Sequence, residues 1–98
     1  MHPIDTSDVP GAELVLPGLQ DLRDGRGSVH ALLVAIGASR LRELGFDVPA
    51  GPPNPEHRLY ESLATSEGLN AHSAYNALIR RLVSFERAME GRRSARSP

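Results

Sequence analysis

The 98-residue chain has no cysteine, so neither a disulfide nor a thiolate-held metal can form within it. Small secreted domains usually depend on such staples, and their absence makes a reducing cytoplasm the expected location. Lysine is missing too: all 11 basic residues are arginine. Schiff-base chemistry and a phosphate-loop lysine are thereby excluded, because both need an ammonium group. Long apolar runs are absent, the longest being Ala31 to Ile36, which is too short to cross a bilayer. Met1 to Asp5 has neither the basic stretch nor the apolar stretch of a secretory leader, so none is expected. Internal repeats and alternating strand patterns are lacking as well.

A chain of this length makes one small domain, which buries only about two-thirds of the surface exposed on unfolding. Charge is uneven along it. Residues 1–27 carry two basic and five acidic groups, 28–66 three and four, and 67–98 six and three. The net charge of -1 argues against a dedicated nucleic-acid coat, while the basic last third can meet an acidic surface or a phosphate backbone weakly.

What is present is helical patterning. Ala71, Tyr75, Leu78, Leu82, Phe85 and Met89 recur at steps of four and three, the seam of a long helix that packs lengthwise on its neighbours. Asn70 is its expected cap and Gly91 its expected stop, giving a helix over 71–90. Upstream, Ser28 is a good N-cap for a central helix over 28–44, closed by Gly45; the propensity lost at Gly37 is justified if another helix crosses there. Asn54-Pro55-Glu56 marks the start of a helix over 55–66, with Leu59 and Leu63 on its buried edge. Leu19 and Leu22 suggest a short helix over 18–24, ended by Gly25 in the C′ position. Gly11 to Leu16 reads as an extended segment or one helical turn, broken by Pro17-Gly18. The expected architecture is an all-α bundle of about four helices over 11–90, with a flexible N-terminal arm at 1–10 and a flexible Arg/Ser-rich tail at 91–98.

Few residue groups point to chemistry. Leu63 to Asn70 followed by Ala71 to Leu82 has the outline of a DNA-binding helix-turn-helix, with Ala64 at the helix crossing and Gly68 in the turn. Its second helix would offer His72, Ser73 and Asn76 to bases and Arg80 and Arg81 to phosphates. Against it stand the small Ala74 and Ala77 and the place of Tyr75 on the apolar seam. His72, Asn76 and Arg80 also share one helix face that suits an anion, or else a hydrogen bond from Asn76 to a neighbouring helix. Gly25-Arg26-Gly27-Ser28 precedes a helix N-terminus but follows no strand, so a loop with an N-cap is the simpler reading. His2, His30, His57 and His72 have no metal-ligand spacing. Ser62, Ser66 and Ser73 lack a nucleophile elbow, and Glu56, Glu61 and Glu67 form no acid/base dyad.

The expectation is a non-enzymatic helical protein without cofactor or metal, working through protein–protein contact or self-association as an adaptor, an antitoxin-like inhibitor or a subunit. Ile79, Val83 and Ala88 widen the apolar seam beyond what one short helix covers, which makes Ile79 and Val83 the candidate anchors and Arg80 and Arg87 their rim. The alternative is a helix-turn-helix regulator built on 63–82.

Overall fold

A computed structural model describes residues 9–96, with side chains to residue 92. The protein is a small all-α bundle: α1 (Ala12–Arg23), α2 (Val29–Ile36), α3 (Ala38–Glu43), α4 (Pro55–Glu67) and α5 (Ala71–Arg96), with a 3-10 turn Gly68–Asn70 between the last two. Because α2 and α3 are halves of one kinked helix, four helical units build the fold. Among the described residues there is no strand.

α1 begins six residues before the expected start and runs through Pro17. Proline inside a helix leaves the carbonyl four residues back without its donor, but Pro17 is exposed, so water can serve the Glu13 carbonyl. Gly18, next to it, is buried, and a Cβ there would collide with the His30 carbonyl of α2. Pro17-Gly18 is thus a helix crossing rather than a break. Both Gly25 and Gly45 close their helices as predicted. Arg26 N–H donates to the Asp21 carbonyl at 2.8 Å and Phe46 N–H to the Leu41 carbonyl at 3.0 Å, with the intervening glycines at positive φ of 76° and 102°, the pairing of a Schellman stop.

Ser28 caps α2 by accepting from Ala31 N–H at 3.1 Å, and its hydroxyl donates to Asp21 at 2.7 Å. The central helix does not run unbroken. At Gly37 (φ -90°, ψ 11°) it kinks, where a Cβ would meet Glu86 Oε2 at 2.9 Å and Leu82 at 3.0 Å. The crossing invoked to explain this glycine is therefore made by α5.

Asn54 does not cap α4 through its side chain; it sits in the left-handed region at φ 52°, and Arg58 N–H bonds its carbonyl at 3.1 Å. Nor does α5 open on a capped coil at Asn70, since the 3-10 turn leads straight into it. At its far end the backbone continues through Gly91 to Arg96. A single glycine costs a helix about 1 kcal/mol, and Gly91 is not among the residues at positive φ, so nothing stops the helix there. Residues 1–8 of the expected arm lie outside the described residues, but Val9 is buried in the core.

Val15, Leu33, Val34, Leu41, Leu59 and Phe85 are the most enclosed side chains. On α5 the predicted seam faces this core: Ala71, Leu82 and Phe85 are buried, and Tyr75, Leu78 and Met89 pack partly against them. Phe85 also meets Phe46, with ring centroids 5.6 Å apart. Leu82→Ala should lower unfolding free energy by about 2–5 kcal/mol in a urea titration. Gly18→Ala should cost at least about 1–3 kcal/mol, because the methyl meets backbone rather than a movable side chain; an unchanged midpoint for either would refute this packing.

Candidate functional site

Two of the five residues offered to DNA are engaged within the molecule. The Arg81 guanidinium pairs with Glu13 of α1, and the His72 ring lies 6.5 Å from that of Tyr60 on α4. Ser73 and Arg80 are exposed and Asn76 is half-buried. Ala64, the residue meant to sit where the two helices cross, is exposed. It lies on the outer side of α4 because Leu59 and Leu63 take the inner one. Asn76 makes no side-chain hydrogen bond among the described residues, so it does not tie α5 to a neighbouring helix.

The loop before α2 is already occupied by the chain's own carboxylate. Asp21 receives the Ser28 hydroxyl at 2.7 Å and faces the Arg26 guanidinium at 3.7 Å. Among the described residues no three histidine, aspartate or glutamate side chains gather as a metal cluster, and no helix is long and apolar enough to cross a membrane. An exposed pair that sequence reading passed over, His57 Nε2 to Glu61 Oε1 at 3.3 Å, was legible as an i,i+4 spacing. The nearby Ser66 and Thr65 direct their hydroxyls to the Ser62 and Glu61 carbonyls of their own helix at 3.2 and 3.1 Å.

The surface that stands out is the outer face of the α4–α5 hairpin. Its large exposed apolar side chains are Tyr60, 40% accessible, and Leu69, wholly accessible at the turn. Neither was singled out from the sequence. Tyr60 falls outside the Leu59/Leu63 edge, and a leucine in a three-residue turn has no periodicity to betray its exposure. The Tyr60 ring contacts Tyr75 at 5.8 Å, while burial, and after it the nearby Glu56 charge, pushes the Tyr75 hydroxyl above its ordinary pKa. From His72 the flank continues at helical spacing through Asn76, Ile79 and Val83. Ile79 and Val83 are both half-buried, Ile79 packing against the core. Arg80 and Arg87 are exposed beside them and have no ion-pair partner among the described residues.

At its C-terminal end this flank meets α3. Arg40 bonds Glu90 of α5 and also Glu43, the latter at 3.1 Å, and those carboxylates raise the already high Arg40 pKa. The candidate face thus runs from Leu69 at the turn to the Arg40–Glu90 pair at the other end. No family model, curated protein or solved structure matches the chain, so the functional reading rests on this geometry.

Beside Arg40, the half-buried Glu86 faces Gly37. Burial pushes its carboxyl above the ordinary carboxylate range, with the Arg40 charge opposing. Just above that ordinary range the folded chain keeps a proton that the unfolded chain has released, so this group's contribution to stability falls as pH rises through the window. Glu86→Gln should therefore raise the urea midpoint at about pH 7 and bring no gain at about pH 3. A gain of equal size at both values would show that the carboxylate is not penalised by its burial.

Proposed function

We propose that this protein is a non-enzymatic helical binding module whose working surface is the outer face of the α4–α5 hairpin. The observation that carries this reading is the exposure of Leu69 and Tyr60 on the same hairpin as the half-buried Ile79 and Val83 and the exposed Arg80 and Arg87. Interfaces are typically built from an apolar centre that is desolvated on contact and a rim in which arginine is favoured over lysine. An exposed leucine alone is ordinary. Here it shares a hairpin with an exposed aromatic and two arginines without an ion-pair partner among the described residues, and this grouping supports an interface.

The helix-turn-helix alternative is supported less well. Arg81 is held by Glu13 and Ala64 is not at a helix crossing, so one phosphate contact and the close packing of the motif would both have to be made differently.

A photo-crosslinking residue at Val83, with one at the neighbouring exposed Ser84 as control, tests the reading in the full chain and its native lysate. Protein adducts of discrete mass from Val83, surviving nuclease and absent from Ser84, are the expected result. Equal adducts from both positions, or none, would remove support for the flank. Adducts to nucleic acid that vanish on nuclease treatment would transfer the assignment to the DNA-binding alternative.

A further inference from the structure

We infer that the occupant of this hairpin face is a second copy of the same chain, docked through an isologous contact in which α4 of each copy lies over α5 of the other. The inference rests on the binding-module reading above and specifies its partner.

The first argument is register. Tyr60 meets His72 and Tyr75, so one helical turn back, Glu56 stands at the level of Asn76, Ile79 and Arg80 of the antiparallel α5. A two-fold axis parallel to the hairpin and lying in its outer face exchanges left for right without shifting level. It therefore sets α4 of one copy over α5 of the other, with Glu56 level with Ile79 and Arg80 and Tyr60 level with His72 and Tyr75. A two-fold axis across the hairpin would instead stack α4 on α4 and α5 on α5.

Charge selects between these two arrangements. α4 presents Glu56, Glu61 and Glu67 against Arg58, and Arg58 Nε is directed to the Pro53 carbonyl at 2.9 Å. The exposed flank of α5 presents Arg80 and Arg87, neither paired among the described residues. Glu56 of one copy over Arg80 of the other is attractive twice over in a two-fold contact, whereas α4 over α4 and α5 over α5 set like charges together.

Leu69 supplies the second argument. It lies in the turn between the two helices, and hence near the parallel axis, so the two copies' leucines come together at one end of the contact. The turn itself needs no leucine, since the side chain is wholly exposed in the single chain.

Sedimentation velocity on the full chain from about 1 to 200 µM provides the test. The wild type should pass from monomer to dimer in that range. Arg80→Glu sets two acidic groups against each other at both symmetric positions, and Glu56→Arg sets two basic groups. Each variant alone should dimerise at least about tenfold more weakly, with the far-ultraviolet circular dichroism of the wild type retained because both residues are exposed. Mixed together, the two variants should form a heterodimer close to wild-type strength, since each reversed charge then meets its opposite. Leu69→Ser should weaken the dimer at least about tenfold without moving the urea midpoint of the dilute monomer.

A wild type that stays monomeric throughout the range overturns the inference, as does a dimer indifferent to Leu69→Ser or a mixture that fails to pair. Crosslinks from Val83 to a different protein, found with a monomeric wild type, would retain the binding-module reading while discarding self-association. Loss of both the crosslinks and the dimer would discard the two together.

Discussion

Where α1 crosses α2, the space that a side chain at residue 18 would take is filled by the His30 carbonyl, and the two backbones are in direct approach. That closeness lets helices of 12 and 8 residues enclose Val15, Leu33 and Val34 completely. Interiors are packed at crystal-like density, so helices this short hold a core only if little volume is lost between them. The same device recurs at Gly37, where Leu82 and Glu86 of α5 fill the place of a missing side chain. The kink it permits turns α3 toward the end of α5, where Arg40 reaches Glu90. The position of α5, and with it the candidate face, follows from these two glycines.

Ion pairs along α5 have a different part. Arg81 to Glu13 and Arg40 to Glu90 lie on the surface, where solvent screening leaves such pairs little net weight in stability. Their effect is to settle which arginines remain available. With Arg81 taken by α1, Arg80 and Arg87 are the exposed arginines of α5 that carry no ion pair among the described residues. Burial of Leu59, Leu63, Leu82 and Phe85 supplies the adhesion of the hairpin to the rest, and each such side chain contributes about 1.5–3 kcal/mol of transfer free energy.

The sequence was most legible where a pattern is read along one helix. The seam from Ala71 to Met89, the Ser28 cap and the glycine stops at 25 and 45 are local rules and hold in the structure. It was least legible where the cause lies in another segment. Pro17-Gly18 has the local chemistry of a break, and only the His30 carbonyl makes it a crossing. Gly91 resembles a stop, yet no left-handed turn follows and the helix goes on. The candidate face divides in the same way. Ile79, Val83, Arg80 and Arg87 can be picked out from helical spacing, whereas Tyr60 depends on how α4 rotates against α5, and Leu69 on the path of a turn that has no period.

The exposure of Leu69 carries weight because nothing in the single chain constrains it. A turn between helices asks for backbone freedom, which Gly68 supplies at φ 56°, and for polar neighbours that water can solvate, such as Glu67 and Asn70. A leucine there gains nothing from the fold and exposes apolar area that would contribute about 1.5–3 kcal/mol if covered. Tyr60 is different, since part of its ring already rests on Tyr75. The hairpin therefore holds one apolar residue half-committed to the monomer and one not committed at all, beside arginines whose charges are unanswered among the described residues. The proposed two-fold contact would answer each of these from the chain itself, since Leu69 would meet its own copy near the axis, Tyr60 would lie against the other copy's α5, and Arg80 would meet the other copy's Glu56.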